Sequence, residues 1–130
     1  MSATEQDLGA VRRVGDTAEI VFHRRYARPI EKVWAALTVP ERIADWFAEV
    51  EALDPRLGGA IHLSFPEVNY RIQGTITEFN PPRRLTWTWP RDDGSVSTVS
   101  FDLAPDGDGC RLTLTEAGLK WAEGAGNGAG

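Results

Sequence analysis

Residues 28–47 read RPIEKVWAALTVPERIADWF, and this stretch decides the fold. Ile30, Val33, Trp34 and Leu37 fall at i, i+3, i+4 and i+7, which is one face of a helix. Pro29 suits the first helical position, because its fixed φ is already helical and its missing N–H would have no partner there. Residues 38–40 break the run. A second short helix follows, with Pro40 in its first turn and Ile43, Trp46, Phe47 and Val50 as its stripe. Thr38 is a better cap than Val39 by side chain, since its hydroxyl can accept from a free backbone N–H.

Outside this stretch the apolar period is two. Residues 11–14 read as a short strand before a turn at Gly15-Asp16, and residues 19–26, EIVFHRRY, as a strand. Downstream, Ile61, Leu63 and Phe65 share one face, opposite His62 and Ser64. Tyr70, Ile72, Gly74 and Ile76 share a face of a longer strand. Leu85, Trp87 and Trp89 alternate with Thr86 and Thr88, then Val99, Phe101 and Leu103 with Ser100 and Asp102. Cys110, Leu112 and Leu114 close the series, opposite Arg111, Thr113 and Thr115. Turn residues separate these runs at 54–59, 80–83, 91–94 and 106–109.

The prediction is an α+β domain with an antiparallel sheet of about six or seven strands and two short helices after the first strand. Short turns between sequential strands make a meander, and one polar face per strand means the sheet is wetted on one side. The apolar side must be covered. Two short helices cannot cover it, so a third, longer helix is expected after Thr115. The last seven residues, GAGNGAG, hold four glycines. Each costs roughly 1 kcal/mol against alanine in a helix. The expectation is therefore either that the closing helix is missing from this chain, or that this version of the fold is left open on one side and can be completed by a partner subunit. Residues 1–10 read as loose, 11–123 as one domain and 124–130 as a flexible tail.

Composition narrows the function. The chain has 130 residues, 42% apolar and 25% charged, with net charge −5. That disfavours nucleic acid and anionic membrane surfaces, which need clustered Lys and Arg. The pairs Arg12-Arg13, Arg24-Arg25 and Arg83-Arg84 read as solvated surface. A single cysteine, Cys110, precludes an intrachain disulfide and suits a reducing cytosol. The polar N-terminus does not read as a secretory signal, and no apolar run approaches the length of a membrane span. The expected location is cytoplasmic.

Several blocks together resemble a known family. RPIEKVWAALT at 28–38, Pro40-Glu41 and Trp46-Phe47 are similar to the opening of START-like (SRPBCC) domains. The branch they most resemble is the one named for the C-terminal domain of the activator of the heat-shock chaperone ATPase. Leu57-Gly58-Gly59, GTITEF at 74–79, PPRRLTWTW at 81–89 and CRLTLTE at 110–116 match in the same order. The resemblance implies a helix-grip fold, a curved antiparallel sheet around a long C-terminal helix, with a cavity between them. It implies no single activity, because the family includes lipid carriers, hormone receptors, cyclases and co-chaperone domains. Its branch name brings in a stress response and a chaperone partner.

Within that frame, Trp87 and Trp89 point to one side of their strand. With Tyr70, Ile72, Phe101 and Leu114 they line a pocket for a flat apolar ligand, or they are plain core. Trp46 and Phe47 fall near the family's usual pocket mouth. These eight are the candidate ligand contacts. Trp34 reads as core. His23 and His62 have no ligand at metal spacing, and neither metal nor cofactor is expected. Asp106-Gly107-Asp108-Gly109 reads as a hairpin turn rather than a calcium loop. Cys110 reads as buried and inert. Glu116 shares the inward parity of Leu114 and is either a cavity acid with a raised pKa or solvated beyond the strand. The first functional expectation is binding of a hydrophobic or amphipathic small molecule without chemistry. The second is a co-chaperone-type interaction domain or self-association. The third is a cyclase- or hydrolase-like enzyme, for which Glu116 and His23 are the candidates.

Overall fold

Tight turns set most of the architecture. The structure, a computed structural model, describes residues 10–120. Strands β1 (Ala10–Val14) and β2 (Thr17–Tyr26) form a hairpin over Gly15, whose φ of 62° suits a residue without Cβ. Helices α1 (Ile30–Thr38) and α2 (Pro40–Trp46) follow. Then come β3 (Glu49–Leu53), β4 (Ala60–Phe65), β5 (Tyr70–Asn80), β6 (Arg84–Pro90), β7 (Val96–Asp106) and β8 (Gly109–Lys120). Strands β3 to β8 run as a meander, and β2 docks on β8, giving the order β1-β2-β8-β7-β6-β5-β4-β3. The two helices therefore carry the chain from β2 to the opposite edge, across the apolar face, where α1 meets β7 and β8.

This is the expected α+β helix-grip class, a curved open sheet with two short helices. Register shifts at Ala18/Ile20, Val50/Ala52 and Ile76/Glu78 mark bulges, which bend strands and strengthen twist. Among the described residues the sheet counts eight strands where six or seven were expected. Val50 matched the helical stripe of α2, but α2 ends at Trp46, and Val50 pairs with Leu63 in the β3–β4 ladder. One apolar residue at the end of a stripe fits either period. Ala10, expected in the loose segment, opens β1.

The caps also differ from expectation. Pro29 is the N-cap of α1 rather than its first helical residue, and its carbonyl accepts from the N–H of Lys32 at 2.9 Å. Val39, not Thr38, caps α2. Thr38 is the last residue of α1, and its hydroxyl donates back to the Trp34 carbonyl at 2.9 Å, so it cannot serve the next helix. Val39 serves both helices: its N–H donates to Ala35 O, and its carbonyl accepts from Arg42 and Ile43.

The core joins Ile30, Val33 and Leu37 of α1 and Ile43 of α2 to the inward faces of β4 to β8. Ile61, Leu63, Ile72, Ile76, Leu85 and Cys110 are almost entirely buried. The outer face carries the polar alternates. There Arg84 donates to Glu78 at 2.8 Å and to both oxygens of Asp102, and the Thr86 hydroxyl donates to Glu78 at 2.6 Å. Hydrogen bonds from Thr86 and then Arg84 hold the Glu78 carboxyl below its usual range.

Residues 116–120, where a closing helix was expected to start, continue β8. Ala117 pairs with Thr98 of β7 and Leu119 with Ala18 of β2, and Gly118 takes a φ of 80° between them. The expected closing helix beyond Lys120, the tail at 124–130 and the segment 1–9 lie outside the described residues.

Candidate functional site

Helix α1 leaves part of the sheet's apolar face uncovered. Between them lies a cavity of about 790 Å³, within the range of small-molecule pockets. Its floor is built by strand alternation on β2, β7 and β8: Phe22, Tyr26, Phe101, Leu112 and Leu114. The register makes this floor continuous, since Phe22 and Phe101 both lie opposite Leu114, and Tyr26 lies opposite Cys110. Val33, Ala35, Ala36 and Leu37 of α1 form the roof, and the two small alanines leave room beneath it. Trp46 stands at the rim, 52% exposed. Its indole N–H donates to the Ala36 carbonyl at 2.7 Å, and its ring stacks on Phe47 with centroids 5.0 Å apart.

Among the described residues the charged part of the lining is wholly basic: Arg24, Arg28, Lys32 and Arg42. Arg24 is exposed, as expected of solvated surface, and Arg25 is half-buried, but strand parity puts them on opposite faces. Arg24 lies on the inward face between Phe22 and Tyr26, opposite Leu112. Arg25 points outward and binds Asp106 at 2.9 Å. Arg12 pairs with Glu19 and Arg84 with Glu78 and Asp102, so the other arginine pairs also contribute ion pairs.

Of the eight candidate contacts, Trp46, Phe101 and Leu114 line the cavity. Phe47 and Trp87 sit beneath it around a gap of only about 10 Å³, among Ile43, Ile61 and Leu63, which is packed core. Trp87 is 2% exposed and Ile72 0%. Tyr70 and Trp89 lie farther along the same face, outside the cavity, where the Trp89 indole donates to the Tyr70 hydroxyl at 2.8 Å. Trp46, Phe47, Phe65, Tyr70, Trp89, Trp87 and Phe101 nevertheless form one unbroken file of rings, with successive centroids 5.0–6.5 Å apart. Phe22, Arg24, Tyr26, Arg28 and Lys32 were missed as lining residues. The signal for Arg24 was its parity with Phe22 and Tyr26, but which strand would lie beside them was not visible.

Glu116 does face inward, opposite Val99 and Ile20. It is not solvated beyond the strand. It forms an ion pair with Arg91 and accepts from the Ser97 hydroxyl at 3.2 Å. The Arg91 guanidinium in turn lies 4.1 Å from the Trp89 ring, a cation–π contact, and its Nε is buried without a partner among the described residues. Neither Glu116 nor any other carboxylate or histidine lines the cavity among the described residues. His23 is exposed on the outer face beside Thr113, with Nδ1 at 3.3 Å from its hydroxyl. Asp106 accepts from Arg25 and Arg111 and belongs to the hairpin turn, where the Arg25 hydrogen bond lowers its pKa. Cys110 is fully buried, and burial pushes its thiol up. No cluster of three potential metal ligands occurs among the described residues, nor any helix long and apolar enough to cross a membrane.

Sheet, helices and cavity together define a START-like helix-grip domain. A family model for activator of Hsp90 ATPase homolog 1-like proteins matches residues 27–129, and the chain belongs to that family. Solved structures agree. CalU16 from Micromonospora echinospora is 32% identical, with a TM-score of 0.73 over 95% of this chain and 77% of that one. Protein MLL2253 from Mesorhizobium loti is 25% identical, with a TM-score of 0.73 over 85% and 87%. Protein CV1439 from Chromobacterium violaceum is 25% identical, with a TM-score of 0.68 over 82% of each chain. No curated protein matches the chain.

Proposed function

We propose that this domain binds a hydrophobic or amphipathic small molecule between α1 and the sheet, without chemistry on it, in the cytoplasm. The cavity of about 790 Å³ with its continuous apolar floor carries this reading. The contacts proposed are Trp46, Phe101 and Leu114, joined by Phe22, Tyr26 and Leu112. Trp46 closes the rim, and Phe101 and Leu114 meet the ligand's apolar body. A co-chaperone role remains the second reading, and the family description favours it. Titration with Nile red, an uncharged apolar dye, tests the first. Saturable one-to-one binding is expected, abolished by Ala36→Phe, which fills the roof. Dye binding that never saturates, or that survives Ala36→Phe in a folded variant, overturns the cavity as the site.

A further inference from the structure

We infer that the ligand of this cavity is an anion: an acidic headgroup on an apolar tail or ring system. The inference rests on the small-molecule reading above and specifies its chemistry. The chain holds 19 Asp and Glu against 14 Lys and Arg, yet among the described residues every charged one lining the cavity is a cation. Two of these cations sit against local preference. Arg24 occupies an inward strand position, flanked by Phe22 and Tyr26 and opposite Leu112, where alternation calls for an apolar side chain. Lys32 lies in the first turn of α1, where the helix macrodipole disfavours positive charge. Such conflicts between local and global preference concentrate at functional sites.

Partner usage points the same way. Acidic residues neutralise Arg12, Arg25, Arg56, Arg71, Arg84, Arg91 and Arg111 elsewhere on the fold. Among the described residues Arg24, Arg28 and Lys32 have no acidic partner, and Arg42 has only a loose one, Asp45 at 3.6 Å. The cavity thus has an apolar floor and an uncompensated positive wall. A low-dielectric wall behind such charges focuses their field and strengthens each contact with an anion. A carboxylate, sulfate or phosphate head meets the cations, and the body lies over Phe22, Phe101, Leu112 and Leu114. A neutral amphiphile gains only the second set of contacts.

The test is calorimetric titration of the protein with three probes of equal tail: decanoate, 1-decanol and decyltrimethylammonium. Decanoate is expected to bind about tenfold more tightly than decanol, the scale of one or two charge-assisted contacts, and the ammonium more weakly than either. Raising salt to about 0.5 M should weaken decanoate alone, because screening acts on the charged contact. Arg24→Gln with Arg28→Gln should bring the decanoate-to-decanol affinity ratio down to about one. Lys32→Gln, on the exposed side of α1, gives a second reading if the double variant does not fold. Equal binding of all three probes, or charge variants without effect, overturns the anion preference while the cavity reading stands. Binding of none of them, together with failure of Nile red, overturns both.

Discussion

Trp87→Ala should be among the most damaging substitutions in this chain, and Trp46→Ala should not. Trp87 is 2% exposed beneath α1 and α2, with its ring 6.2 Å from Phe101 and 6.1 Å from Trp89. A tryptophan buries roughly 150–250 Å², worth about 4–6 kcal/mol at 25 cal/mol per Å². Residual burial in the unfolded chain lowers that to about 3–4 kcal/mol, in line with about 3–5 kcal/mol for Trp→Ala in cores. Trp46 is 52% exposed, so about half the area is at stake, or about 2 kcal/mol before the same reduction. Its bond to the Ala36 carbonyl adds little, because water can replace it at an exposed site. Urea denaturation followed by far-ultraviolet circular dichroism reads both. With a slope of about 2 kcal/mol per molar urea, the midpoint should fall by about 1.5–2 M for Trp87→Ala and by less than about 1 M for Trp46→Ala. Equal shifts, or a larger one for Trp46→Ala, would refute the placement of core and rim.

Two further outcomes follow from single contacts. Gly74→Ala should destabilise severely, since its Cβ would be driven into the Thr88 carbonyl of the neighbouring strand, and thermal melting of the purified variant checks this. Stability should fall with acidification below about pH 5, because Glu78 and Asp106 have depressed folded-state pKa values. Their contribution is present above the unfolded carboxylate pKa and is lost as pH falls through the lower folded value. The urea-midpoint gap between wild type and Glu78→Gln should therefore narrow as pH drops, and a constant gap would contradict it.

The strands legible in the sequence were the first hairpin, read at 11–14 and 19–26, and those whose alternation ran uninterrupted between turns: β4, β5, β6, β7 and the first half of β8. Two parts were illegible, for different reasons. EVEAL of β3 is five residues long, a bulge between Val50 and Ala52 breaks the alternation of its two core-packed residues, Val50 and Leu53, and Val50 completed a helical stripe equally well. The second half of β8 passes Ala117 and Gly118, which offer no alternation, and Gly118 needs a positive φ to keep the ladder going. The site was harder. Aromatic content drew attention to β6, but the cavity is decided by β2 docking on β8, a pairing of residues some ninety positions apart. That pairing puts Phe22, Arg24 and Tyr26 on the floor. Leu37 of α1 and Ile43 of α2, gathered with Trp87 around the small gap, turn that indole into core. Neither follows from the local pattern of either strand.

The file of rings from Trp46 to Phe101 gives the protein a shared optical signal. Trp46 and Trp87 border the same small gap, and Trp89 lies 6.1 Å from Trp87. At such spacing excitation migrates between indoles faster than it is emitted. Light absorbed by the buried tryptophans is then lost or shifted by whatever touches Trp46 at the rim. Intrinsic fluorescence should thus respond to an occupant of the cavity far more strongly than one exposed tryptophan among several would allow, and no added label is needed to see the site fill.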